Sequence, residues 1–248
     1  MAFHKYLTFS FDDGLEQDKK IIQLMKQYGL KGTFNLNAGL LGKKNWVGRI
    51  GNVGFTEYDS PGHHRIVKVQ EHFRIPEDEI SQVYEGFEVA SHAYYHENLR
   101  NLSEQELDRT IGRDIEKLSA LVGYPVVGHA YPGGLGSRRA QVCLKRHGII
   151  YGRNAFSKGC FSFPENPLDF HPTCSWKDKN VMELLEQFLH TSADQEDLLF
   201  LVWGHGYEMD YNTPNASQRA MEHLFARAAG REDIVYCSNK EAFIMHDR

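Results

Sequence analysis

A chain of 248 residues, 41% hydrophobic and 25% charged, has the composition of an ordinary globular protein long enough for one α/β barrel or two small domains. Its net charge of −5, with no basic block, argues against nucleic acid as a partner, and no apolar run approaches the roughly 18 residues needed to span a membrane. The four cysteines (Cys143, Cys160, Cys174, Cys237) are widely spaced without a Cys-x-x-Cys pair, so they form neither a disulfide framework nor a zinc knuckle. The first strand begins too close to the N-terminus to leave room for a signal peptide, and the expectation is a cytoplasmic protein.

Tyr6 to Phe11 alternates large apolar with small polar residues, as a strand does, and runs straight into Asp12-Asp13-Gly14. Leu15 to Tyr28 reads as a helix with Ile21, Leu24, Met25 and Tyr28 on one face, stopped by Gly29. Lys31 to Leu36 is a second strand. From Gly39 to about Ile75 no period is legible, so residues 39–75 read as a loop-rich insertion whose Gly, Trp, Tyr and His content suits a lid or a contact between copies in a homo-oligomer. A short helix follows over Glu77 to Tyr84, then a buried strand over Gly86 to Ser91 that delivers His92 and, four residues on, His96. Ser103 and Glu106 form a capping box for a long amphipathic helix that ends at Gly123.

Pro125 to Ala130 is a strand closing on Tyr131-Pro132-Gly133-Gly134; Ser137 opens a helix ended by Gly148, and Ile149 to Tyr151 is a strand again. Residues 153–179 are irregular. A helix then carries Leu184, Leu185, Phe188 and Leu189, and the apolar run Leu198 to Trp203 is a buried parallel strand delivering His205. A further helix, the strand Ile234 to Cys237 and a short helix complete the chain. Strand and helix alternate about seven times without a compositional break, which predicts one domain over 1–248 built on a mostly parallel sheet closed or nearly closed into a barrel. Such folds place chemistry at the C-terminal ends of their strands. Asp12-Asp13, His92, Pro132-Gly133 and His205 all fall there.

Asp-Asp-Gly by itself reads as a turn with a helix cap, and His92 with His96 as a strand end and a surface histidine. Together they read differently. The four-residue spacing puts both imidazoles on one face of a helical turn, and two imidazoles plus one carboxylate make a three-ligand metal site with open positions. Such a donor set suits zinc, cobalt, nickel, manganese or iron, zinc first.

Thr8-Phe-Ser-Phe-Asp-Asp-Gly14, Phe87-Glu-Val-Ala-Ser-His-Ala-Tyr-Tyr-His96-Glu-Asn-Leu99 and the strand-end His205 resemble the motifs of the polysaccharide deacetylase (NodB-homology, carbohydrate esterase family four) family. The resemblance spans nearly the whole chain. It implies a distorted (β/α)7-type barrel, a divalent metal, and hydrolysis of N- or O-acetyl groups on a sugar or glycan. By position it implies Asp12 as general base, Asp13, His92 and His96 as metal ligands, the Gly133 main-chain N–H as oxyanion donor and His205 as general acid.

The chain also departs from the pattern. Where the family's third motif has an arginine and a tyrosine, this chain has Ala130 and Gly133. Arg153, expected just after the following strand, is the candidate replacement for that arginine. Trp176 is the nearest candidate for the family's pocket-wall tryptophan, with Tyr131 and Trp203, and also His171 and Glu208, as further lining residues. Asp169 is a candidate to tune His205, and His63 and His64 to approach the metal. Two alternatives stand beside the acetyl-sugar reading: a hydrolase of a small cyclic amide or ureide on the same fold, and a non-catalytic carbohydrate-binding relic.

Overall fold

We analysed a computed structural model, which describes residues 3–49, 55–59 and 66–247. In chain order the elements are β1 (Lys5–Asp12), α1 (Asp18–Gln27), β2 (Gly32–Leu36), β3 (Lys44–Arg49), β4 (Phe55–Asp59), β5 (Ile66–Phe73), α2 (Ile80–Val83), β6 (Glu88–Ser91), α3 (Glu104–Val122), β7 (Gly128–Ala130), α4 (Arg138–Arg146), β8 (Tyr151–Arg153), β9 (Cys174–Ser175), α5 (Val181–His190), β10 (Leu198–His205), α6 (Gln218–Ala228), β11 (Ile234–Tyr236) and α7 (Asn239–His246).

The main sheet is parallel and runs β8-β7-β6-β2-β1-β10-β9, with β11 pairing beside the start of β1. The segment from Phe170 to Cys174 crosses between its two ends: the Phe170 N–H donates to the Gly152 carbonyl and the Thr173 N–H to the Leu201 carbonyl, both at 2.9 Å. This is the nearly closed parallel barrel that the alternation predicts, distorted as the family resemblance implies.

Period-2 alternation sorts the strand residues between two layers. Leu7, Phe9 and Phe11 of β1, with Phe200 and Val202 of β10, join Ile21, Met25, Leu224 and Phe225 in the layer between sheet and helices. Tyr6, Leu199, Leu201 and Tyr151 point the other way, into the barrel. Each fully buried phenylalanine contributes about 1.5–3 kcal/mol through area removed from water. Thus the same alternation that builds the core aims Asp12, Arg153 and His205, the last residues of β1, β8 and β10, at the barrel mouth.

Three expectations change. The insertion expected over 39–75 to be loop-rich contains strands: β3, β5 and β4 form a separate antiparallel sheet in that order. Strands whose pairing partners lie only within their own small sheet carry a weak periodic signal. This sheet returns to the barrel mouth, where the Glu16 N–H donates to the Phe73 carbonyl and the Ile75 N–H to the Gly14 carbonyl, each at 2.9 Å. Second, the strand expected at 149–151 is β8, two residues later, so Arg153 lies inside a strand rather than after it. Third, His92 and His96 do not share a helical turn. Ala93 and His96 both have φ +59, and the reversal they make folds His96 back over His92. His63 and His64 lie outside the described residues.

Candidate metal centre and active site

Asp12 and His205 are register partners on the adjacent strands β1 and β10. Asp13, with φ +82, turns away from the strand just past Asp12, so the two carboxylates diverge. His92 follows β6, and its main-chain N–H donates to the Leu36 carbonyl at the end of β2 (2.9 Å). Asp13 Oδ1 lies 4.0 Å from His92 Nε2 and 3.8 Å from His96 Nε2. One donor atom from each of the three residues falls within 4.8 Å of the other two.

The donor set fits a divalent cation. His92 Nδ1 is 2.7 Å from the Ala130 carbonyl, so Nδ1 carries the proton and the Nε2 lone pair faces Asp13 and His96. Burial pushes the His92 imidazole down to about 4, with His96 adding to the shift against the pull of Asp12 and Asp13, so the ring is neutral at pH 7. Burial raises the Asp13 carboxyl, but Arg74, His205, His92 and His96 together outweigh it and hold it well below the usual carboxylate range. His96 is the exposed member and closes the site from the solvent side.

A buried hydrogen-bond network holds these residues. Asp114 on α3 accepts from the main-chain N–H of His92 (3.1 Å) and of Ala38 (2.7 Å) and from the Ser91 hydroxyl (2.7 Å). The Asn37 amide donates to the carbonyls of His92 and Ala93, while its oxygen accepts from Arg74 (2.7 Å). Arg74 follows β5 directly and also donates to the Asp13 carbonyl and to Asp13 Oδ1 (3.2 Å). Loss of such outer partners typically costs 10–100-fold in metal affinity.

Asp12 has a separate set of partners. Its Oδ1 accepts from the Asn35 amide (2.8 Å) and from the Arg153 guanidinium, whose Nε also donates to Ser10 (3.0 Å). Arg153 therefore stands beside the candidate base although it comes from another strand than the missing arginine would. Burial alone would raise the Asp12 carboxyl, yet Arg153, His92 and His205 bring it below its ordinary value. Arg153→Met is expected to move the acidic limb of any activity upward by about 1–3 pH units, because an adjacent Arg lowers an Asp by that much. A pH–rate profile reads this; a melting curve separates it from the destabilisation of removing a buried charge partner.

His205 pairs with Glu208 one turn on. Glu208 Oε2 accepts the His205 main-chain N–H (3.0 Å), its Oε1 lies 3.3 Å from His205 Nδ1, and Lys177 also binds Oε1. Burial alone would lower the His205 pKa; the Glu208 charge and hydrogen bond, with Asp13 and Asp12, reverse this and raise it to about 9. An acid with that pKa stays protonated through neutrality and is lost as pH rises through about 9. Glu208→Gln is expected to draw the basic limb of activity down toward the ordinary histidine range near 6.5; an unmoved limb would refute the pairing.

The remaining sequence candidates are placed as follows. Gly133 has φ +66, and a Cβ there would meet nothing within 4 Å, so its turn borders open space just after Ala130. Trp203 is partly exposed, with the Arg153 guanidinium 5.1 Å from its ring and His205 at 5.6 Å. Trp176 is buried against Gly204, where an added Cβ would lie 2.2 Å from the indole, so it is a wall behind His205 rather than an open surface. Tyr131 is buried too, donating to the Leu168 carbonyl (2.5 Å). His171 bonds the Phe156 carbonyl (3.0 Å).

Asp169 does not tune His205. It accepts from Gln141 (3.2 Å) and Asn154 (3.3 Å), and Glu208 takes the place beside the imidazole. Sequence reasoning missed Arg74, Asn37, Asn35, Asp114 and Lys177. Asn37 sits just past β2, and the strand-end rule that flagged Asp12 and His205 reaches it; Arg74, in the stretch without a legible period, carries no such signal.

The family model described as polysaccharide deacetylase matches residues 3–152. No curated protein sequence matches the chain. Among solved structures, a putative polysaccharide deacetylase from Mycobacterium smegmatis superposes with a TM-score of 0.65 at 13% identity, covering 100% of this chain and 91% of that one. The peptidoglycan deacetylase PdaC from Bacillus subtilis gives 0.55 at 15% identity, with 99% and 92% covered. A family 4 carbohydrate esterase from Streptomyces lividans, in complex with acetate, gives 0.51 at 12% identity, with 92% and 87% covered.

Proposed function

This chain belongs to the polysaccharide deacetylase family, and we propose that it is a metal-dependent hydrolase removing acetyl groups from an N- or O-acetylated sugar or glycan. The observation that carries this reading is the convergence of Asp13, His92 and His96 within 4.8 Å, beside Asp12 and His205 on neighbouring strand ends. A relic that only binds carbohydrate has no need to keep the Asp12–Arg153 and His205–Glu208 pairs buried and intact.

A divalent cation held by Asp13, His92 and His96, zinc first among the metals the donors suit, would supply Lewis-acid polarisation of the acyl carbonyl and a lowered pKa for bound water. Asp12 then serves as the base. Arg153 and Asn35 both engage its Oδ1, fixing the carboxylate and leaving Oδ2 to take the proton of the attacking water. The Gly133 N–H donates to the oxyanion as it forms. His205, oriented through Nδ1 by Glu208, gives the proton on Nε2 to the departing amine or alcohol. Trp203 borders this path and is the proposed contact for the sugar ring, while Trp176 backs Gly204 and Tyr131 is buried against Gly152 and Leu168.

Among the described residues no helix is long and apolar enough to cross a membrane, and the four cysteines are free. The decisive assay loads the protein with zinc, cobalt, nickel, manganese or iron and measures acetate release from N- and O-acetylated sugars beside ring opening of cyclic amides. Acetate release supports the reading; ring opening alone transfers the same residues to a small-amide substrate. No turnover with any metal would overturn it.

A further inference from the structure

A second convergence of donor atoms lies away from the barrel mouth, where α3 packs on α4. Cys143 and His147, four residues apart at the end of α4, share one face and meet Asp108 of α3. His147 Nε2 lies 3.0 Å from Asp108 Oδ1, and Cys143 Sγ lies 4.0 Å from the same oxygen. The three donors fall within 4.8 Å of one another.

A four-coordinate ion with bonds of about 2.0–2.3 Å holds its ligands about 3.3–3.7 Å apart. The observed spacing brackets that range, so an ion needs only small torsional shifts, and the half-exposed Asp108 side chain can make them. One further observation fits a ligand here. Gly112, inside α3, is where an added Cβ would come 2.9 Å from the His147 ring, so a residue that is unfavourable in helices makes room for the imidazole. Arg146, whose Nη2 stands 3.4 Å from Asp108 Oδ1, competes for that carboxylate and must give way to an ion; its side chain is 59% exposed and free to swing into solvent.

We propose that Asp108, Cys143 and His147 bind a borderline-soft divalent cation, zinc being the one that a mixed sulfur, nitrogen and oxygen set selects, and that the ion clips α3 to α4. The fourth position is left to water. Binding breaks the Cys143 S–H bond, releases that proton to solvent and forms a metal–sulfur bond, with no change of oxidation state. Without the ion the thiol stays protonated: Cys143 lies in the apolar cluster of Leu107, Ile111, Ala140 and Leu144, and burial raises its pKa.

Sulfur separates this site from the one at the barrel mouth, which has no thiolate donor. Titrating the full chain with cobalt(II) is expected to give a thiolate-to-cobalt charge-transfer band that His92→Ala leaves in place and Cys143→Ser abolishes. Asp108→Asn and His147→Ala are expected to weaken the affinity read from that band by about 10-fold or more. Zinc should raise the melting temperature of wild-type protein more than that of His147→Ala. Absence of the band in the wild type, or its survival in Cys143→Ser, overturns the proposal. If Cys143→Ser does not fold, the two exposed-side variants decide: a band of unchanged affinity in both overturns it.

Discussion

Asp13→Ala is expected to abolish tight binding of a divalent metal, with a loss beyond the 10–100-fold that removal of an outer partner costs. The carboxylate is the only anionic donor in the set, and His92 and His96 alone leave a two-imidazole site with little charge to offset dehydration of the ion. The variant has a second consequence. Arg74 is buried and loses its anionic partner, keeping among the described residues the main-chain carbonyl of residue 13 and Asn37, and an unpaired buried charge costs about 3–5 kcal/mol. His92→Ala removes a neutral donor and leaves that pair intact, so it separates lost coordination from lost stability. Metal content by elemental analysis, read with a melting curve for each variant, is the measurement. Unchanged stoichiometry in both would remove Asp13 and His92 from the ligand set.

Asp12→Asn is expected to keep the metal and lower kcat by roughly two to four decades, the usual contribution of a positioned general base. The amide fills the same volume and can still accept from Arg153, which in any case retains Ser10 and the Asn154 carbonyl. The site should therefore stay assembled while its proton acceptor is gone. Near-normal turnover would show that another group takes the proton. Retained metal with a KM close to wild type would confine the loss to the chemical step.

The positions that local pattern alone could reach are those at strand ends. Alternation along Tyr6 to Phe11 and the apolar run Leu198 to Trp203 marks β1 and β10, and the next polar residues, Asp12-Asp13 and His205, fall at the barrel mouth because parallel strands all end on one face. The capping box at Ser103 and Glu106 and the stop at Gly123 are equally local, and α3 runs between them.

What the sequence by itself determined is the alternating α/β architecture and which residue types stand at its strand ends, because strand period, helix caps and glycine stops act over a few neighbouring residues. Tertiary structure decided the pairings. Arg153 meets Asp12 across 141 residues of chain, Arg74 reaches Asp13 across 61, and Lys177 reaches Glu208 across 31. It also decided that His92 and His96 meet through a left-handed turn rather than a helix, and that Glu208, not Asp169, stands beside His205. The physical reason is that a buried charge must find a counter-charge wherever packing places one, and that choice depends on which strands lie side by side.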